Sequence, residues 1–253
     1  MKTAEVYYAA VLSRDKKLQE VFKQGGDFHS TIAKMVFNLP CEVDKVKELY
    51  PLDRQAAKAV TFGILYGSGA RKVAETVNKE GGNLTIEDAQ DVINQYFKTF
   101  RKLKEWLTET QQFISANGFI YSFFGRKRRL PNVFSTDKSI ASHEVRSGVN
   151  ATIQSLASDV NLLAAIDIDK ELTNKGIDAG IFMLVHDSIV LLCKDEFVEE
   201  VKEILKKCTQ KERGCSIPEF PIGVDQEVGD DYSFGKFDKK YKLEDGMLCK
   251  VQA

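Results

Sequence analysis

Residues 54–67 read Arg-Gln-Ala-Ala-Lys-Ala-Val-Thr-Phe-Gly-Ile-Leu-Tyr-Gly, and the interpretation of the whole chain turns on them. Arg54, Lys58, Phe62 and Tyr66 recur every fourth residue, which on a helix sets them along one slowly drifting face as two cations followed by two rings. Ala56, Ala57, Val60, Ile64 and Leu65 supply apolar surface elsewhere on the same helix, so one face packs while another stays available. Such a file suits a ligand that is anionic at one end and flat at the other, and a nucleoside triphosphate has that shape. A surface helix with merely solvated cations has the same spacing, which does not choose between the two.

At 253 residues the chain is long enough for one large domain or two modest ones. Its 43% hydrophobic and 29% charged residues describe an ordinary globular protein. A net charge of -1 gives no overall attraction to nucleic acid, so any such contact must come from local clusters. Cys41, Cys193, Cys208, Cys215 and Cys249 are scattered and never form a Cys-x-x-Cys pair, which predicts reduced thiols in a cytoplasmic protein rather than disulfides or zinc. The N-terminus lacks the apolar core of a signal peptide, and no apolar run reaches membrane-spanning length, so no membrane contact is expected.

Residues 3–22 are helix-permissive and end at Gly25-Gly26. Asp27 is a plausible cap for a short helix through Phe37, with Pro40 as its stop, and residues 44–50 predict another. Gly67-Ser68-Gly69 breaks the helix, which resumes over 70–78, and Thr85 with Asp88 gives a capping-type start. The stripe Ala89, Val92, Ile93, Tyr96, Phe97, Phe100, Leu103, Trp106 and Leu107 reads as core and runs to Asn117-Gly118, as one long helix or two. Residues 119–124 are β-prone and lead into Arg126-Lys127-Arg128-Arg129, four cations that repel one another unless an anion such as a phosphate backbone gathers them. A solvated loop or a localisation signal accounts for the same run.

Arg146, Asn150 and Gln154 repeat at four-residue intervals opposite Val149, Ile153, Leu156, Val160 and Leu163. Their amides can both donate and accept at the minor-groove edge of a base pair. Residues 181–185 and 188–192 are apolar runs flanking His186-Asp187, read as two buried strands whose tight turn exposes a carboxylate for a metal, or simply as a solvated hairpin. Residues 195–211 predict an amphipathic helix, 220–229 a closing strand, and 236–253 a charged, loosely ordered tail or partner contact.

The pattern Arg54-x-x-x-Lys58-x-x-x-Phe62-Gly-x-x-Tyr66-Gly67 resembles motif B, the nucleotide-binding helix of family A DNA polymerases. Four further segments are similar to that family in its own order: residues 5–18 to the stretch after the start of motif A, together with Asp27-x-His29; Gly125-Arg126 with Leu130-Pro131; Arg146 through Asn150 and Gln154 to Asp159; and His186-Asp187 to motif C. Departures are Tyr7, where an arginine is usual, Lys2-Thr3-Ala4, where bacterial members carry Ser-Gln-Ile, and Ser188 in place of the motif C glutamate. The Lys-Thr-Ala-Glu stretch is phage-like, and the metal-binding aspartate of motif A falls one position ahead of Met1.

The resemblance implies an α+β fold, a helical fingers subdomain on an antiparallel-sheet palm, incomplete in having no thumb and no exonuclease domain. It divides the chain into a palm segment (1–12), fingers (13–140), palm (141–235) and tail (236–253). It implies a DNA-directed DNA polymerase that adds deoxynucleotides to a primer 3′-hydroxyl with two Mg2+ ions, inactive as this chain alone. A separate polypeptide or upstream segment then supplies the thumb, first palm strands and motif A aspartate. Implied nucleotide contacts are Glu5, His29, Arg54, Lys58, Phe62 and Tyr66, with Lys58 also protonating pyrophosphate. Implied contacts to primer-template DNA are Arg126, Arg128, Arg146, Asn150, Gln154 and His186, and the implied metal ligand is Asp187. If viral, the protein works in the host cytoplasm. Ser188 and the position of the missing aspartate keep a second reading open, a non-catalytic nucleotide- and DNA-binding remnant.

Overall fold

In the computed structural model, which describes residues 4–229 and, as backbone alone, 241–244 and 247–250, helices start and stop where capping chemistry puts them. The first helix-permissive run divides into α1 (Ala4–Ser13) and α2 (Lys16–Lys23) at Arg14, whose φ of 53° is left-handed. Asp15 causes the restart: its buried carboxylate accepts from the Leu18 amide at 3.1 Å and from the distant Leu103 amide at 3.1 Å. One side chain thus caps two helix N-termini, which explains why the second of them has no cap of its own. Asp27 caps α3 (Phe28–Phe37) through the Ser30 amide. After α4 (Val43–Leu49), Pro51 opens α5 (Pro51–Leu65), where its missing N–H costs nothing.

α6 (Ala70–Lys79) is followed by α7 (Ile86–Thr99), which begins in a full capping box between Thr85 and Asp88. The aromatic stripe is two helices: Phe100, non-helical at φ -109° and ψ 68°, separates α7 from α8 (Arg101–Asn117), and left-handed Gly118 ends the latter. The hairpin β1 (Phe119–Tyr121) and β2 (Lys127–Arg129) then leads to α9 (Lys138–Lys175), a 38-residue helix capped by Asp137 and stopped at Gly176. The chain continues as the antiparallel pair β3 (Ala179–Val185) and β4 (Ser188–Cys193), then α10 (Val198–Thr209).

Two apolar cores share α9. Its first half, through Val149, Ile153, Leu156 and Val160, joins the core built by α1 to α8. Further along, Ile168 and Leu172 pack with Ile177 and with Val201, Ile204 and Cys208 of α10, under Ala179, Ile189 and Leu191 of the hairpin. Gly148 permits the close approach of α9 to its neighbours, since a Cβ there would lie 2.5 Å from Leu130 and 2.8 Å from Ile114. Tyr7 ties the later chain back to α1, its hydroxyl accepting from the Ile217 amide at 2.9 Å and donating to the Phe220 carbonyl at 2.7 Å.

Several expectations are corrected. β3 and β4 are not buried on both faces: α9 and α10 cover one side, and Phe182, Leu184 and Leu192 are 57%, 43% and 62% exposed on the strands. The strand expected at 220–229 is not formed: among the described residues the pairing there is limited to the isolated bridge between Ile217 and Phe220. Leu163 is exposed, and Ala164 takes the buried position. Within the segment read as a loose tail, β5 (Tyr241–Glu244) pairs antiparallel with β6 (Met247–Lys250), while the rest of it lies outside the described residues. The architecture is α+β, with a predominantly helical body and short antiparallel hairpins. Met1–Gly223 is one compact unit and Val224–Ala253 a second. Cys41, Cys193, Cys208 and Cys215 are free thiols. Among the described residues no helix is long and apolar enough to cross a membrane.

Candidate functional site

α5 buries Ala56, Ala57, Val60, Thr61, Ile64 and Leu65, leaving Arg54 and Phe62 half-buried and Lys58 exposed. Tyr66 does not continue this file as a helical residue: it is the C-cap, and Gly67 beyond it is left-handed at φ +68°. The helix ends because the Ser68 amide closes back on the Gly63 carbonyl at 2.7 Å. The turn brings the Tyr66 hydroxyl to Glu5 of α1, to which it donates a short hydrogen bond. Burial, followed by this carboxylate, pushes the Tyr66 hydroxyl up to about 12.

Asp27, read from the sequence as a helix cap and as the first residue of the Asp-x-His resemblance, is also the partner of Arg54. Its carboxylate accepts from Arg54 Nε at 2.6 Å and Nη2 at 3.0 Å, and from the Ser30 amide and hydroxyl. The Arg54 guanidinium holds the Asp27 carboxyl far below the usual carboxylate range, and Asp27 in turn raises Arg54. A fork of five N–H donors with one edge clamped this way keeps the other edge for a second anion. The nearness of Asp27 to an arginine 27 residues on has no local sequence signal. His29, two residues after Asp27, sits between Phe28 and Phe62, with ring centroids at 5.3 and 5.6 Å. Burial pulls its pKa down to about 4 against the opposing pull of Asp27, and its Nδ1 is buried without a partner. At neutral pH the free protein therefore presents an uncharged imidazole here, not a third cation.

Tyr66 also borders an open cleft of about 210 Å³ lined by Arg128, His143, Arg146, Ser147, Asn150 and Gln154. Glu5, Leu65 and Ile153 join Tyr66, Asn150 and Gln154 around a smaller recess beside it. His143 and Ser147 escaped the sequence reading, although they precede Arg146 and Asn150 on the same helix face. Gly67 matters twice, for its backbone and because a Cβ there would lie 2.3 Å from Arg146 Cδ, so the arginine stem lies directly over the turn. Arg128 reaches into the cleft and donates to Ser147 Oγ at 3.1 Å. Arg126 is turned instead to Asp159, at 2.5 Å, and does not line the cleft.

His186 and Asp187 form the β3–β4 turn, where Val185 pairs with Ser188 and His186 is left-handed at φ 52°. They lie outside the lining of both recesses. Among the described residues no group of three or more His, Cys, Asp or Glu could by itself hold a metal. Asp187 nevertheless has the hard oxygen donors that magnesium takes, and magnesium commonly binds through one or two carboxylates with substrate phosphates completing its shell. The chain thus fits one ligand of such a site.

The expected residues fall into three groups, with Arg126 apart from them on Asp159: His29, Arg54, Lys58 and Phe62 on α3 and α5, beside Asp27; Glu5, Tyr66, Arg128, Arg146, Asn150 and Gln154 around the cleft and its smaller recess; and His186 with Asp187 at the hairpin turn. The fold that carries them is a polymerase fold, similar to the POL domain of Pol1 from M. smegmatis in complex with DNA primer-template and dNTP, at TM-score 0.73 and 27% identity over 83% of this chain and 35% of that one. The chain belongs to DNA polymerase family A, whose family model matches residues 2–233. It is 48% identical to the DNA polymerase of Escherichia phage T5 over 95% of this chain and 31% of that protein. It is 30% identical to the thermostable DNA polymerase I of Thermus aquaticus over 92% of this chain and 26% of that protein. It therefore spans less than a third of either of these relatives.

Proposed function

We propose that this chain is the C-terminal, fingers-and-palm part of a DNA-directed DNA polymerase, with fingers at 13–140 and palm at 141–235. The observation that carries the reading is the meeting of Tyr66, at the end of the cation-bearing helix, with Glu5 on one side and the Arg146, Asn150 and Gln154 face on the other. The deoxynucleotide lies along α5. Lys58 and the unclamped edge of Arg54 take its triphosphate, His29 hydrogen-bonds to it, Phe62 packs on the sugar, and Glu5 crowds a 2′-hydroxyl. Tyr66 borders the position where the template base pairs. Primer-template follows Arg128, Arg146, Asn150 and Gln154, with Arg126 at its margin and His186 steadying the primer terminus. In the reaction the primer 3′-hydroxyl oxygen bonds to the α-phosphorus as the bond to pyrophosphate breaks, and Lys58 is placed to hand the leaving group a proton.

Asp187 holds magnesium, which when bound supplies charge neutralisation at the phosphates and a more acidic 3′-hydroxyl. The remaining carboxylate and first palm strands come from polypeptide beyond this chain. Phe182, Leu184 and Leu192, exposed along the β3–β4 hairpin, support that, because large apolar side chains open to solvent on one hairpin suit a further covering segment. Ser188, one residue after Asp187, favours a second reading, a nucleotide- and DNA-binding remnant without chemistry.

Primer extension separates the two. This chain, mixed with a polypeptide carrying the preceding palm and thumb of a family A polymerase, is expected to extend a labelled primer, and Asp187→Ala to abolish extension while nucleotide binding persists. Extension that survives Asp187→Ala removes the metal assignment. Nucleotide and duplex binding with no extension in any mixture leaves the remnant reading.

A further inference from the structure

The β1–β2 hairpin has a second face that the proposed site does not use. Register pairs Phe119 with Arg129, Ile120 with Arg128, and Tyr121 with Lys127. Because strand side chains alternate, Ile120 and Arg128 share the side that meets the core and the cleft, while Phe119, Tyr121, Lys127 and Arg129 share the other. That outer face therefore consists of two cross-strand pairs, each an aromatic opposite a cation. Phe113 of α8 extends it, stacked edge-to-face on Phe119 at 5.6 Å, with Tyr121 at 5.4 Å on the far side. Lys127 Nζ lies 3.8 Å from the Phe119 ring centre. The rings are open to solvent: Phe113 is 41% and Tyr121 51% exposed, and Phe123 and Phe124 at the tip are 43% and 39% exposed.

Residues 119–129 of the hairpin contain four cations and no carboxylate, in a chain whose net charge is -1; Arg126 is paired with Asp159 of α9, while Lys127 and Arg129 stay exposed on the outer face. Exposed rings at stacking separation beside exposed cations match one kind of ligand, a flexible polyanion with flat bases free to stack. A duplex offers phosphates but keeps its bases paired, and an acidic peptide does not join a flat group to every charged unit as a nucleic acid strand does. We propose that the outer face of this hairpin binds single-stranded nucleic acid, its bases stacking on Tyr121 and Phe113 and its phosphates meeting Lys127 and Arg129. It is a second surface, back to back with the cleft across one pair of strands, and it suits an unpaired stretch of a strand whose duplex part occupies the cleft.

The test is fluorescence anisotropy on the full chain with a labelled oligothymidine, a blunt hairpin duplex and, separately, anionic phospholipid vesicles. The triple variant Tyr121→Ser, Lys127→Ser, Arg129→Ser is expected to weaken oligothymidine binding by about tenfold or more. Its duplex affinity should stay within about twofold, and removing two cations should lower the slope of log affinity against log salt by about 1.4. Tyr121→Phe with Lys127→Arg should restore the oligothymidine affinity, which excludes misfolding as the cause. A bromodeoxyuridine oligomer should photocrosslink to the peptide containing Phe119 and Tyr121. Unchanged oligothymidine binding in the triple variant, equal losses for both nucleic acids, crosslinks confined to the cleft, or vesicle binding in preference to the oligomer would each overturn the proposal. Single-strand binding here without duplex binding in the cleft keeps this inference and counts against the polymerase reading.

Discussion

Around α5 the side chains expected to face a nucleotide, Lys58 apart, are already held by partners in the same chain, whereas the β3–β4 hairpin turns three large apolar side chains to solvent. Arg54 is clamped by Asp27, Tyr66 is tied to Glu5, and Phe62 packs beside His29, all on helices seated in a dense core. Among the described residues the hairpin packs against helices on one side only. The difference teaches that preorganisation is local: one half of a proposed site can be set by its own neighbours while the other half still lacks a covering layer.

The largest effect that sharpens this contrast is in the helical core. Phe100 is fully buried, so Phe100→Ala should cost about 3–5 kcal/mol in urea unfolding. Next comes the turn after α5. Gly67→Ala puts a side chain at positive φ and against Arg146, and should cost about 1–3 kcal/mol and weaken duplex binding, read by melting and anisotropy. An unchanged melting temperature would show that the turn relaxes without consequence.

His29 gives a pH dependence of defined sign. Its pKa falls on folding from 6.5 to about 4, so between those values the unfolded chain binds more protons. Stability should therefore hold above about pH 6.5 and decline as pH falls towards 4, by about 1–2 kcal/mol after allowance for partial exposure. His29→Asn should remove that slope, and an NMR titration midpoint near 6.5 for the native ring would break the account. Asp27→Asn keeps the cap but not the charge, and should cost about 1 kcal/mol because the pair is partly exposed. Asp27 contributes above its unfolded pKa near 3.8, and its contribution is lost as pH falls through the depressed folded value. The smallest effect belongs to the open hairpin. Phe182→Ser should change stability by less than about 0.5 kcal/mol. A loss as large as that of Phe100→Ala would mean the hairpin face is already covered within the chain.

Helix boundaries were readable because they depend on nearby residues: Asp27, Thr85 with Asp88, Pro51 and Gly118 act within one turn of where they stand. The break after α5 was legible in Gly67-Ser68-Gly69, and Tyr66 differs from its expected place only in capping the helix rather than continuing it, because left-handed Gly67 turns the chain there. Strand burial was misread because continuous apolar runs suit strands covered on both faces and strands awaiting a cover equally well. The Asp27–Arg54 clamp and the double cap by Asp15 stayed hidden for another reason. Each joins residues far apart in sequence, and neither position has a periodic neighbour to announce it. Arg146, Asn150 and Gln154 were legible as a polar stripe opposite an apolar one, and that same regularity left His143 and Ser147 one turn earlier unnoticed.

α9 has a mechanical consequence. At 1.5 Å per residue its 38 residues extend about 57 Å, and both cores are fastened to it at different stations along its length. A rod gripped in two places conveys rotation about its axis from one grip to the other with little loss. Asn150 and Gln154, the later part of the stripe that lines the cleft, leave the rod between Gly148, where it is pinched against Ile114 and Leu130, and Ile168, where it enters the hairpin's core. Any torque applied to the hairpin would thus reach Asn150 and Gln154 as a change in heading rather than in distance.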